Sequence, residues 1–185
     1  MISIGFNYST NLRLLITNYR PMATQLKNLS DFSGTTIPSA APYTFAILVA
    51  EWNVEITGAL YNGAYESLLT HGALADNVAT YWVPGSFELT SAADMVLKTG
   101  KADAVICLGC VIQGETRHFD FICDAVANGL SNVAIKYSKP VIFGVLTTDN
   151  QQQAVDRAGG KHGNKGEEAA VTAIKMAHLA TTLGI

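Results

Sequence analysis

The sequence predicts an α/β fold in which a parallel sheet carries helices on both faces. Three observations support this. From Tyr43 onward, short continuous apolar runs alternate with segments of helical periodicity. Strict strand–helix alternation implies parallel strands joined by right-handed crossovers. Hydrophobic residues make up 49% of the 185-residue chain and charged residues only 15%, against a usual charged share of about 25%. Finally, polar junctions follow several of the apolar runs, as happens where loops at the carboxyl ends of parallel strands gather into one site.

The run Phe45-Ala46-Ile47-Leu48-Val49 reads as a first buried strand. The helix after it repeats Ile56, Leu60, Ala64 and Leu68 at every fourth position and stops near Gly72. Val78 to Val83 reads as the second strand. The next helix buries Leu89, Ala92, Ala93, Val96 and Leu97, then ends at Lys98-Thr99-Gly100, a basic last turn followed by a glycine stop. The third strand is Ala104 to Leu108, and its helix carries Phe119, Ile122, Cys123, Val126 and Leu130 at helical spacing. Val141 to Leu146 is the fourth strand. Asn150 with Gln153 makes a cap for a short helix through Ala158. After a glycine-rich turn, a last helix runs from about Lys165 to Leu179.

Residues 43–185 read as one domain, and residues 1–42 as an N-terminal extension, partly disordered or extended. Leu14-Leu15-Ile16 is too short an apolar patch for a secretory signal, and Met22 is an alternative start. Ser30 to Pro42 reads as an extended lead-in.

Several function classes are disfavoured at this point. No apolar run reaches the ~20 residues that span a bilayer. A net charge of −3 leaves no basic footprint for nucleic acid. The low charge content suits a subunit interface, whose core is depleted of charges. Cys107 and Cys110 form a CxxC pattern inside a strand, where residues three apart point to opposite faces roughly 10 Å from each other, too far to bridge. No second ligand pair accompanies them, so all three cysteines, Cys123 included, read as structural thiols in a reducing, cytoplasmic setting. The expectation is no metal and no nucleic-acid or membrane partner.

The most informative stretch is Gly109-Cys110-Val111-Ile112-Gln113-Gly114-Glu115-Thr116-Arg117-His118-Phe119-Asp120. It joins a strand to a helix through a polar turn. The N–H groups of Gly114, Glu115 and Thr116 at the helix entrance suit a phosphate; alternatively they meet water or a side chain, as at any helix start. His118 stands beside them. Histidine titrates near neutrality and so serves as acid or base, although one in that place can equally cap or pack the helix. Neither GxGxxG nor GxxxxGK[ST] occurs, which argues against a dinucleotide or ATP.

Two further junctions have the same character: Val83-Pro84-Gly85-Ser86-Phe87-Glu88 and Phe143-Gly144-Val145-Leu146-Thr147-Thr148-Asp149. Trp52, beside Asn53, offers an indole for stacking on a planar heterocycle, or else a core or interface aromatic; Phe143 has the same two readings. Arg157 is suited to forked binding of phosphate. Lys165 opens the last helix, where a cation opposes the helix dipole unless an anion lies near it.

Taken together, these segments resemble the lumazine synthase family. The resemblance covers about Phe45 to Leu179 and rests on Trp52-Asn53, PGSFEL, GCVIQGETRHFD, PVIFGVLTTDN and QAVDRAGGKHGNKGEEAA. It implies a flavodoxin-like three-layer αβα sandwich with a four-stranded parallel sheet. It also implies condensation of 5-amino-6-(D-ribitylamino)uracil with 3,4-dihydroxy-2-butanone 4-phosphate, without metal or organic cofactor. By matching position, Trp52 stacks on the pyrimidine. Ser86, Phe87 and Glu88 bind the ribityl chain, and Cys110, Val111 and Ile112 the ring. Glu115 and Thr116 meet the phosphate through their amides. Arg157 pairs with it, with Lys165 nearby; His118 transfers protons; and Phe143 flanks the pyrimidine from a neighbouring subunit. Gln113 and Arg117 depart from the residues common at their positions, and Trp52 replaces a frequent Phe.

The resemblance further implies a pentamer or a sixty-subunit shell with sites between adjacent subunits, and riboflavin synthase as a partner. The GGKHGNKG turn lacks the insertion seen in members that stop at pentamers, which favours the shell. The alternative is a non-catalytic flavin or lumazine carrier, or a shell former, on the same scaffold; such a protein has no need of His118 with Arg157.

Overall fold

The computed structural model describes residues 28, 30–32 and 34–185. The readings placed on residues 1–21 and on Met22 lie outside them. Four strands, β1 (Phe45–Ala50), β2 (Val78–Val83), β3 (Ala104–Ile112) and β4 (Val141–Thr148), form a parallel sheet in the order β2-β1-β3-β4. The crossovers are α1 (Val54–Thr70), α2 (Leu89–Lys98) and α3 (His118–Tyr137). A short α4 (Gln151–Arg157) and a long α5 (Lys165–Leu183) follow the last sheet strand.

The two central strands explain the continuous apolar runs. Every residue of β1 and the first seven of β3 are buried, because helices cover both faces of the sheet. Alternation divides these side chains between two cores. Phe45, Ile47, Val49, Ile106 and Leu108 pack with Ile56, Leu60, Ala170 and Ile174 of α1 and α5. Ala46, Leu48, Val105 and Cys107 pack with Leu89, Ala93, Val126 and Leu130 of α2 and α3. The three-layer sandwich expected from the sequence is therefore present. The edge strand β2 instead alternates half-buried and exposed positions over most of its length.

Strand ends differ from the sequence reading. β3 continues four residues past Leu108, and β4 runs to Thr148 rather than Leu146. The two extensions stabilise each other through a shared ladder that ends at Ile112 opposite Thr148. Gly109 weakens the local strand signal, so only the partner strand carries it on. The glycine-rich turn is a small antiparallel hairpin, β5 (Ala158–Gly160) with β6 (Gly163–Asn164). Gly159 and Gly163 adopt φ of 107° and 81° there, conformations that side chains disfavour.

Asn150 accepts a hydrogen bond from the Gln153 N–H at 3.0 Å, so the expected cap of α4 is formed. Asn164 does more. Its side chain accepts from the Gly166 N–H at 2.8 Å, donates to the Ala59 carbonyl at 3.0 Å, and thereby caps α5 while joining it to α1. Its backbone N–H donates to the Ser30 hydroxyl at 3.0 Å, which ties down the lead-in segment.

The two helices approach closely here. A methyl group at Gly166 would lie 1.9 Å from the Leu60 carbonyl oxygen, and backbone cannot step aside as a side chain can. Gly166→Ala is expected to cost about 3 kcal/mol, read as a lower midpoint in thermal or urea unfolding. An unchanged midpoint would contradict this packing.

Candidate active site

The strand order reverses between β1 and β3, and in doubly wound sheets ligands bind outside the carboxyl ends of the strands at that point. A cleft of about 750 Å³ opens there. Each of its walls comes from a separate strand end.

The first wall follows β1. The Glu51 N–H donates to the Val83 carbonyl at 2.8 Å and the Trp52 N–H to that of Pro84 at 3.3 Å, which fastens this turn to the end of β2. The Trp52 indole is 73% exposed; it presents a free face to the cleft rather than filling a core. Asn53 takes a left-handed conformation, φ 61°, which asparagine tolerates better than most residues. Its side-chain amide donates to the Cys110 carbonyl at 2.9 Å, bridging β1 to β3.

The second wall is the loop after β2, which crosses over the end of β1. Ser86 is 7% exposed, Phe87 56%, and Glu88 leads into α2. The floor is the end of β3, where Cys110, Val111 and Ile112 line the cleft. The third wall is the entrance of α3: Thr116, His118, Phe119 and Ile122.

His118 is the first residue of α3. The loop before it holds unused donors. The Gln113 N–H is taken by the Thr148 carbonyl at 2.8 Å, and the Thr116 hydroxyl accepts from the His118 N–H at 3.4 Å. The N–H groups of Gly114, Glu115 and Thr116 find no hydrogen-bond partner among the described residues. Three consecutive free donors in the loop that leads into a 20-residue helix are suited to an anion. Gly114 and Thr116 line the cleft, whereas Glu115, expected at the site from the sequence, does not.

Three expected site residues lie away from this cleft within the single chain. Phe143 is on the edge strand β4 and 37% exposed. Arg157 ends α4, points into solvent and makes no ion pair among the described residues. Its neighbour Asp156 accepts from the Gln152 side-chain amide and pairs with Lys161, each at 2.9 Å. These bonds, Gln152 foremost, hold its carboxyl below the ordinary range, and its backbone carbonyl takes the His162 N–H at 2.8 Å. The turn presenting Arg157 is thus fixed while the guanidinium stays available. Lys165 differs. Its ammonium is met at 2.6 Å by Glu168 within the same helix, so the chain itself supplies the counter-anion that the dipole argument demands.

The thiols are quiet. Cys107 and Cys110 project into opposite cores, as alternation on a strand requires. Burial pushes the Cys110 thiol up to about 11 and raises Cys107 further. The native protein at pH 8 is therefore expected to leave both unlabelled by a thiol reagent, with labelling appearing on unfolding; fast labelling of Cys110 in the folded protein would refute this. Among the described residues no three His, Cys, Asp or Glu side chains gather as a metal site, and no helix is long and apolar enough to cross a membrane.

Asn53, Phe119 and Ile122 are cleft residues that the sequence reading did not assign to the site. The two apolar ones carried only a helical-core signal. Asn53 stood beside Trp52, but its bridge to β3 depends on tertiary approach alone.

A doubly wound parallel sheet with a solvent-open cleft at its switch point, a histidine on one wall and free amide donors beside it, defines a small-molecule enzyme of the flavodoxin-like α/β class. The family model described as 6,7-dimethyl-8-ribityllumazine synthase matches residues 42–181. The chain is 60% identical over 162 residues to the 6,7-dimethyl-8-ribityllumazine synthase of Cytophaga hutchinsonii, covering 88% of this chain and 100% of that one. It is 52% identical to that of Flavobacterium johnsoniae, covering 85% and 83%, and 51% identical to that of Porphyromonas gingivalis, covering 85% and 98%. The chain belongs to the 6,7-dimethyl-8-ribityllumazine synthase family, transferases of riboflavin biosynthesis.

Proposed function

We propose that the cleft is one half of an active site that a second copy of the chain completes. The observation that carries this reading is the separation of parts. The stacking face, the free amides and His118 share one cleft, whereas Arg157 and Phe143 stand exposed elsewhere on the same chain. An unpaired guanidinium on a fixed turn is suited to reach a phosphate held by a neighbour.

In this reading the site condenses 5-amino-6-(D-ribitylamino)uracil with 3,4-dihydroxy-2-butanone 4-phosphate. Trp52 stacks on the pyrimidine, and Phe143 of an adjacent copy flanks it. Cys110, Val111 and Ile112 support the ring from below; Ser86, Phe87 and Glu88 hold the ribityl chain. The free N–H groups of Glu115 and Thr116 receive the phosphate and Arg157 of the adjacent copy closes on it. Lys165 of the adjacent copy lies near the phosphate, and its pairing with Glu168 makes it a lesser contributor than Arg157.

The substrate amine attacks the ketone carbon, and loss of water leaves an imine. Loss of the adjacent carbon-bound proton expels phosphate with its bonding electrons and leaves an enol, which tautomerises to a ketone. The ribityl-bearing nitrogen attacks that carbonyl carbon, and loss of a second water closes the ring. Each step moves a proton, which the imidazole of His118 accepts and returns. Amide donors and guanidinium stabilise the charge that develops on the departing phosphate. Holding two reactants in one cleft supplies much of the remaining acceleration. The assembly in this reading is a pentamer built into a sixty-subunit shell, with riboflavin synthase as a downstream partner, and residues 1–42 form an extension outside the catalytic domain.

Mixed assemblies test the shared site. Two variants, His118→Ala and Arg157→Ala, are each expected to be weak alone. Reassembled one to one, roughly a quarter of their sites regain both intact residues, because each interface draws its two halves independently. Lumazine fluorescence should recover accordingly. No recovery in verified mixed oligomers, or a monomer peak by mass photometry, would defeat the proposal.

A further inference from the structure

We infer that Gly109 is a positioning residue for the Ser86 hydroxyl. The inference rests on the reading above, in which Ser86 contacts the ribityl chain.

Ser86 sits in the loop that passes from β2 over the end of β1, and this path brings it against β3. A Cβ atom at position 109 would lie 2.6 Å from the Ser86 oxygen, 3.3 Å from its Cβ and 3.2 Å from Leu89 Cδ1. The hydroxyl therefore occupies the space that any other residue at position 109 would fill. It makes no hydrogen bond with another described residue, and Ser86 lines the cleft, so its donor and acceptor capacity is left for a ligand. Glycine inside a strand weakens it and often marks a site of close approach; here the group that approaches is the serine oxygen.

A methyl group at position 109 need not break the fold. The atom it meets first is the end of a short side chain, which can turn about its χ1 into another staggered rotamer. That turn takes the hydroxyl out of its place in the cleft. Gly109→Ala should thus reproduce the loss caused by Ser86→Ala, and the two losses should not add, because both remove the same contact.

The test measures KM for 5-amino-6-(D-ribitylamino)uracil, kcat and thermal midpoint for the assembled enzyme in three variants: S86A, G109A and the double variant. S86A is expected to raise KM about three- to tenfold, the worth of one neutral hydrogen bond. G109A should do the same, with kcat changed less than KM, and the double variant should match S86A. Gly129→Ala serves as a packing control. Its methyl group would lie 2.5 Å from the Thr90 hydroxyl in the α2–α3 contact, so it should lower the midpoint and leave KM unchanged.

An S86A enzyme with unaltered KM overturns the ribityl contact and the inference with it. An impaired S86A beside a G109A of wild-type KM overturns the Gly109 assignment alone, as does a double variant whose losses multiply. Should G109A not fold, S86A and the double variant still decide the matter. With the oxygen gone the methyl group at 109 still lies 3.2 Å from Leu89 Cδ1 and 3.3 Å from the Cβ of residue 86, contacts that need shifts of only a few tenths of an ångström, so equal KM supports the inference and unequal KM overturns it.

Discussion

Replacement of His118 by alanine is expected to slow turnover by about 100- to 10,000-fold, the usual contribution of a positioned acid–base group, while ligand binding stays largely intact. The reasoning is geometric. His118 opens α3 and lines the cleft beside the free N–H groups of residues 114–116. In the proposed reading, a proton relay there serves both the amine–ketone chemistry and the departing phosphate. No hydrogen bond or ion pair ties its imidazole to another described residue, so its loss removes no support of the fold. Single-turnover kinetics with lumazine fluorescence, combined with binding of a substrate analogue by calorimetry, separates the two effects. Equal losses in kcat and in analogue affinity would instead assign His118 a binding role.

The second large effect is expected at Arg157. Its guanidinium is exposed and lacks an ion pair among the described residues, so alanine there breaks nothing within the chain. A charge-assisted bond to phosphate is worth about 1.5–3 kcal/mol, and part of it strengthens as charge develops on the leaving group. Arg157→Ala should therefore lower kcat/KM for the butanone phosphate by about 10- to 100-fold through the binding contact, with a further decline in kcat. KM for the pyrimidine should scarcely move. Arg157→Lys keeps the charge and loses the fork, so it should recover only part of the activity. An unchanged KM for the phosphorylated substrate would remove Arg157 from the site.

The two variants differ in a useful way. In the proposed reading, His118 acts within the cleft of its own chain and Arg157 in that of a neighbour. Their losses therefore complement each other in mixed assemblies, as residues confined to one cleft cannot.

Much of the fold was legible because local and tertiary preferences agree. β1 and the early part of β3 are apolar at nearly every position, and only strands covered on both faces sustain that pattern. Ile56, Leu60, Ala64 and Leu68 recur at helical spacing and all four are buried. Asn150 with Gln153 announced a cap that forms as read. The cleft was legible in outline too: Trp52 and the junctions after the second and third strands supply its walls, so Trp52, Ser86, Phe87, Glu88, Cys110, Val111, Ile112, Thr116 and His118 meet in one place, whereas the expected junction after the fourth strand, Phe143 to Asp149, does not line it.

Other features left no local trace. The extension of β3 past Gly109 depends on a ladder to β4. The β5–β6 hairpin read as a bare turn because three glycines conceal any alternation. Lys165 invited an external anion until Glu168, one helical turn on, proved to meet it.

The amino-acid pattern by itself determined the order of strands and helices, their two-sided burial and the polar character of the strand ends, since each is a property of periodicity along the chain. Only the tertiary structure decided which strand ends adjoin. It set Asn53 against Cys110, placed the Ser86 oxygen over Gly109, and left Arg157 apart from His118. The reason is physical: such contacts join residues distant in sequence, and their distances follow from sheet order and helix approach, which no local pattern encodes.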